Sequence, residues 1–162
     1  MLRDWVNSNN SMKIERNIPK MNKTVYFLSS SQQRSLIAEG WAEKLDVSDW
    51  SFKSAGWVAE SRAEFSVLAM KELCIDISTF PLTRIEMNEL GDASVIVAIQ
   101  DTEFDDKIEI PSELEDKVIY WNLPNPRKRS KTLIEEWVHY QEICDEIAMR
   151  VKDLENLLPQ LH

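Results

Sequence analysis

Apolar positions along this chain follow two rhythms. Four short runs, 24–28, 50–54, 94–99 and 117–121, are rich in β-branched, aromatic and aliphatic residues. Runs of this length and composition predict strands, and 94–99 (SVIVAI) is apolar enough for a central strand covered on both faces. Between the runs, apolar residues recur at helical spacing. Leu36, Ile37, Trp41 and Leu45 mark a helix over 35–45, and Phe65, Leu68, Ala69 and Leu73 mark another over 63–73. A shorter helix is predicted over 83–90, closed by Gly91 at its C′ position. The last apolar series, Leu133, Trp137, Ile143, Ile147, Val151, Leu154 and Leu158, predicts one long helix over 132–158.

Strands alternating with helices predict a three-layer α/β/α fold of the Rossmann-like kind, with a four-stranded parallel sheet. The ligand crevice of such folds lies beyond the carboxyl ends of the strands, at a switch point. Here the first strand runs into Ser29, Ser30, Ser31, Gln32 and Gln33, and a helix begins near Arg34. That places a loop and a helix N-terminus where an anion would bind. Residues 1–22 read differently: Asn7 to Ser11 are polar and Pro19 breaks a helix, which predicts a flexible N-terminal extension ahead of a domain over 23–162.

Composition narrows the class. Hydrophobic residues make up 43% and charged residues 29% of 162, the balance of a folded globular chain. The net charge of -9 disfavours nucleic acid as a partner. Arg127, Lys128, Arg129 and Lys131 are a local exception, read as a solvated loop before the last helix. No apolar run approaches the roughly 20 residues of a membrane span, and the N-terminus has no secretory pattern. Two cysteines, Cys74 and Cys144, are too few for a disulfide framework. The chain is therefore expected in the cytoplasm, with both cysteines as small buried hydrophobes. His139, Cys144 and Asp145 share a helix but not one clean face, so no metal site or cofactor is expected. Trp57, just after Gly56, is either a partner anchor at the crevice rim or a buried side chain.

Several segments resemble a known family. Tyr26-Phe27-Leu28, Arg34-Ser35 and Ala38-Glu39-Gly40-Trp41-Ala42 resemble the opening of thioredoxin-coupled arsenate reductases, which share the low-molecular-weight tyrosine phosphatase fold. The likeness continues through Ser54-Ala55-Gly56, Ala69-Met70-Lys71-Glu72 and Ile75-Asp76-Ile77-Ser78, and again near 93–99 and Tyr120-Trp121. The resemblance implies the phosphotyrosine phosphatase I-like form of the fold. It also implies an anion loop, C-x5-R-[ST], whose thiolate attacks phosphorus or arsenic while backbone N–H groups and the arginine hold the oxyanion.

The chain departs from that pattern at three places. Arg34 and Ser35 match the end of the anion loop, but the cysteine position falls on Leu28 or on Ser29, depending on whether one residue is missing. The loop also has none of the family's glycine, which predicts left-handed backbone angles on ordinary residues at about 1 kcal/mol each. The family's general acid, an aspartate before a proline, corresponds to Asn125 before Pro126. The two further thiols that pass oxidising equivalents outward have no counterpart between Gln100 and Pro111. Ser29 would need a base to act as nucleophile, and His139 and His162 are not placed beside it by any motif. Arg34 either binds an oxyanion or pairs with a local acid such as Glu39 or Asp101.

From these departures the chain is expected to be a catalytically inactive member of the family, a binding or regulatory module whose partner is another protein or a second copy of itself. The alternative is an enzyme or sensor, phosphatase- or reductase-like, that still binds a small oxyanion such as phosphate or arsenate. The anion-loop residues in either case are Ser29, Ser30, Ser31, Gln32, Gln33, Arg34 and Ser35.

Overall fold

The computed structural model describes residues 23–58, 64–85 and 87–161. The extension expected over 1–22 and the terminal His162 lie outside the described residues. Four strands, β1 (Lys23–Ser29), β2 (Trp50–Gly56), β3 (Val95–Gln100) and β4 (Val118–Asn122), form one parallel sheet in the order β2-β1-β3-β4. Among the described residues five α-helices accompany them: α1 (Gln32–Ala42), α2 (Glu64–Glu72), α3 (Met87–Asp92), α4 (Pro126–Arg129) and α5 (Leu133–Leu157).

The strand alternation decides which layer each side chain joins. Val25 and Phe27 of β1, with Val95, Val97 and Ile99 of β3, face α1, α2 and α5 and form the larger core cluster. Phe27 packs between Phe52 and Trp121, with ring centroids 6.3 and 6.0 Å away. Tyr26 and Leu28, with Ile96 and Ala98, face the other way onto Leu90 of α3 and Ile108. Both faces of the two central strands are thus dry, as their near-continuous apolar sequences predict, and the three layers follow. Because β1 is flanked by β2 and β3, the chain leaves it toward opposite faces, and the switch point lies at the carboxyl ends of β1 and β3.

Three local expectations change. The helix expected over 83–90 starts later, as α3, because the segment before it runs alongside the end of β2. Ile85 donates its N–H to Gly56 O at 2.9 Å, and Gly56 donates to Thr83 O at 3.0 Å. Gly91 lies inside α3 rather than after it, and it has no positive φ. The basic stretch before the last helix is itself a helical turn, α4, with Pro126 in its first turn and Asn125 as cap. Cys74 is exposed, not buried: it closes α2 at φ 64°, with Ile75 N–H bonded to Met70 O and Cys74 N–H to Lys71 O. This is the Schellman arrangement, in which the left-handed position normally falls to glycine. Cys144 is buried as expected, and burial pushes its thiol up to about 12.

Candidate functional site

The anion loop packs at the end of β1 and the start of α1, against the two segments after β3 and β4. Strand pairing runs to Ser29 opposite Gly56, while Leu28 is buried in the smaller core cluster. Ser29, not Leu28, therefore leads into the loop. The Ser29 hydroxyl is fully buried, accepts the Ser35 N–H at 3.0 Å and lies 2.8 Å from Ser35 Oγ. It also donates to Ser31 O. Ser35 Oγ in turn donates to Ala55 O at 3.2 Å. The serine pair ties the two ends of the loop together.

The absence of loop glycine brings no backbone strain. Among the described residues only Cys74 has a positive φ outside glycine, so residues 29–35 curl within ordinary backbone angles. Space comes from across the sheet instead. A Cβ on Gly56 would stand 2.9 Å from Gln32 N, 3.2 Å from Ser30 O and 3.2 Å from the Ser31 carbonyl carbon. Trp57 and Val58 then donate their N–H groups to Ser30 O at 3.1 and 2.8 Å, fastening the loop to β2. The Trp57 ring is half-buried against the smaller core cluster.

Gln32 braces the loop from inside. Its Nε2 lies 3.0 Å from Ser54 Oγ, 3.1 Å from Ser54 O and 3.0 Å from Pro81 O, and its Oε1 accepts the Thr83 N–H at 2.7 Å. Ser54 donates onward to Glu39 at 2.6 Å. Burial raises the Glu39 carboxyl to about 6, against the pull of the Ser54 bond. Gln33 accepts from Tyr140 through Oε1, while its buried Nε2 has no partner among the described residues. The α1 N-terminus carries no side-chain cap from Ser31, so its first-turn N–H groups are free of that competitor.

Arg34 is buried at 1% exposure, its guanidinium packed against the segments after β3 and β4. Neither acid proposed for it from sequence is its partner. Its Nη2 donates to Asp105 Oδ2 at 2.7 Å and to Ser30 Oγ at 3.0 Å, and its Nη1 donates to Leu123 O at 3.1 Å. Asp105 also receives the Asp101 N–H at 2.8 Å and Asn125 Nδ2 at 2.8 Å. Burial opposes its charge, yet the Arg34 guanidinium and these donors hold its carboxyl below the usual range.

Asn125, expected from the resemblance at the family's acid position, is 6% exposed and bridges two segments. Its side-chain oxygen caps α4 by accepting from Arg127 and Lys128 N–H, while its own N–H donates to Asp101 Oδ2 at 2.9 Å. Asp101 is clasped by Arg129 through two bonds of 2.6 and 2.9 Å. Burial disfavours its charge, but Arg129 and the Asn125 and Glu103 N–H groups bring it down to about 2. The basic stretch is therefore partly spent on the site's own acids: Arg129 on Asp101, and Lys128 on Phe104 O with its Nζ 3.7 Å from Asp105. His139 sits away from the loop with Nδ1 2.8 Å from Ser130 Oγ, and the described residues hold no cluster of three potential metal ligands.

A loop of small polar residues and a buried arginine thus lies at the switch point of a four-stranded parallel sheet, the arrangement that the resemblance to arsenate reductases implies. Comparisons with known proteins agree. An arsenate reductase of Bacillus subtilis (strain 168) is 33% identical over 133 residues, 82% of this chain and 94% of the relative. One from Bacillus licheniformis is 34% identical over 131 residues, 80% of this chain and 93% of the relative. The chain belongs to the arsenate reductase family. No protein-family model matches it. Among solved structures, an arsenate reductase in its phosphate-binding state superposes with a TM-score of 0.68 at 23% identity, covering 83% of this chain and 97% of that one. An arginine phosphatase from Geobacillus stearothermophilus gives 0.70 at 18% identity, covering 85% and 94%. These likenesses confirm the three-layer fold.

They also overturn the expectation of a catalytically inactive binding module. The relatives, matched over nearly their whole length, are named as arsenate reductases. The physical reason for the misreading lies in the loop. The expectation rested on the missing loop thiol, the asparagine at the acid position and the absent thiol pair, with the missing glycine as a further sign; yet the loop closes without strain through the Ser29–Ser35 pair and the space left by Gly56.

Proposed function

We propose that this chain is an enzyme or sensor that binds a tetrahedral oxyanion, phosphate or arsenate, in the crevice formed by Ser29, Ser30, Ser31, Gln32, Gln33, Arg34 and Ser35. The observation that carries the reading is the buried Arg34 guanidinium beside the uncapped N-terminus of α1. A guanidinium supplies planar paired donors for an oxyanion, and first-turn N–H groups add further donors and a favourable dipole. The unpartnered Gln33 amide gives this loop a spare buried donor, the usual mark of a group awaiting a partner.

On the resemblance the family's thiol position falls on Leu28 or Ser29, so the loop itself offers at most a hydroxyl and no reducing sulfur. Arsenate reduction on this chain would draw its thiols from outside the loop. Cys144 is buried with its thiol pushed up, and Cys74 is exposed at the end of α2, so a thiol-bearing protein partner belongs to the reductase form of this reading. Phosphatase-like transfer needs no such partner. Both forms suit the cytoplasm, where two unpaired cysteines stay reduced.

The test is isothermal titration of phosphate and arsenate into the protein, with Arg34→Ala and Arg34→Lys alongside and far-ultraviolet dichroism as a folding control. Binding that is lost in Arg34→Ala and weakened in Arg34→Lys supports the reading. No heat at millimolar anion in the wild-type protein refutes it.

A further inference from the structure

Resting on the oxyanion reading above, we propose that Asp105 is a specificity-determining residue: its carboxylate is an internal ligand of the crevice, which a dianion displaces and a monoanion does not. The Asp105 side chain is fully buried and receives donors from three separate segments. The anion loop supplies Arg34 Nη2 at 2.7 Å and Ser30 Oγ at 3.3 Å. The turn after β3 supplies the Asp101 N–H at 2.8 Å, and the α4 turn supplies Asn125 Nδ2 at 2.8 Å, with Lys128 Nζ at 3.7 Å. Those are the donors an oxyanion at Arg34 would use, and they already surround an anion. The other guanidinium contacts go to the neutral Ser30 Oγ and Leu123 O, so an incoming anion gains the charged contact to Arg34 Nη2 by replacing Asp105.

Competition with a tethered group sets the selectivity. An intramolecular ligand acts at an effective concentration of millimolar or higher without any translational cost. A free carboxylate or nitrate offers Arg34 the same single charge that Asp105 already gives, and so gains nothing by the exchange. Phosphate or arsenate near neutral pH brings close to two charges and more acceptor oxygens, which convert into stronger charge-assisted bonds. The displaced carboxylate has a route outward. Asp105 sits on a short turn closed by its own N–H to Asp101 O at 2.8 Å, and the adjoining Phe104 is 47% exposed. The Asp101–Arg129 clasp stays behind as the hinge of that turn.

The experiment titrates phosphate, arsenate, acetate and nitrate into the full chain at pH 7.5, as wild type, Asp105→Asn and Asp105→Ala. The wild-type protein is expected to bind the dianions and not the monoanions. In Asp105→Asn acetate and nitrate should tighten by about tenfold or more, the scale of one charge-assisted hydrogen bond removed from a competitor, and phosphate by less. An unchanged phosphate-to-acetate ratio in both variants overturns the proposal, as does weaker phosphate binding in both, which would make Asp105 a support for Arg34. A wild-type protein and variants that bind no anion at all would refute the oxyanion reading itself. Should the variants fail to fold, amide hydrogen exchange on the wild-type protein decides: saturating phosphate should speed exchange over 101–110 while acetate leaves it unchanged, and equal behaviour with both sinks the idea.

Discussion

At the scale of single residues, Cys74 is the clearest case of chemistry overruled by backbone. A thiol in a reductase family invites a redox role, yet this side chain sits exposed at φ 64°, where an L-residue pushes Cβ toward the following carbonyl. Replacing it by glycine removes that repulsion and forfeits no packing. Cys74→Gly should stabilise the protein by about 0.5–1 kcal/mol, a rise in melting temperature of roughly 1–4 °C, measurable by calorimetry. A fall in melting temperature would mean that the thiol makes contacts its exposure conceals. The sequence placed Cys74 among buried hydrophobes because it follows an apolar helix face; only the tertiary end of α2 shows that the chain turns there.

Among the elements, the anion loop depends on a strand it does not belong to. Gly56 ends β2 with an ordinary φ, so its lack of a side chain matters for space alone. All three atoms nearest to an added Cβ are loop backbone, which cannot rotate away as a side chain would. Gly56→Ala should therefore push residues 30–32 outward, costing about 1–3 kcal/mol in stability and weakening phosphate binding at least about tenfold. Titration calorimetry together with thermal melts separates the two effects. Unchanged affinity and stability in this variant would show that the loop shifts freely and that Gly56 is not its floor. The Ser54-Ala55-Gly56 segment was legible as part of the family likeness, but its purpose was not, because the partner atoms lie more than twenty residues away in sequence.

For the molecule as a whole, two buried carboxylates set opposite pH responses. Asp101 is held down to about 2 by Arg129 and backbone donors, so its contribution to stability is present above the ordinary aspartate range and is lost as pH falls toward 2. Glu39 is raised by burial to about 6 from 4.5. The folded state thus binds its proton more readily than the unfolded chain, and stability from this residue is full below about pH 4.5 and lost as pH rises through 6. Glu39→Gln keeps an acceptor for Ser54 and removes the titration. The variant should gain melting temperature over wild type at pH 7.5 and show little gain at pH 4.5. An equal gain at both values would mean that the Glu39 carboxyl is ionised throughout.

The sequence by itself determined the layers and the likeness to the family, since these rest on periodicity and on local segments such as residues 38–42 that carry their own pattern. It determined that Arg34 closes the loop and that Asn125 stands before Pro126. Tertiary structure alone decided what those residues meet. Asp105 appeared in the sequence as one acid among many between β3 and β4, with nothing in its spacing to single it out. Folding brings that turn, the anion loop and the α4 turn to the same end of the parallel sheet, and the guanidinium and carboxylate meet there at 2.7 Å. Strands and helices follow from short-range patterns, whereas the sheet order and the pairing of buried charges are set by which segments the closed fold brings together.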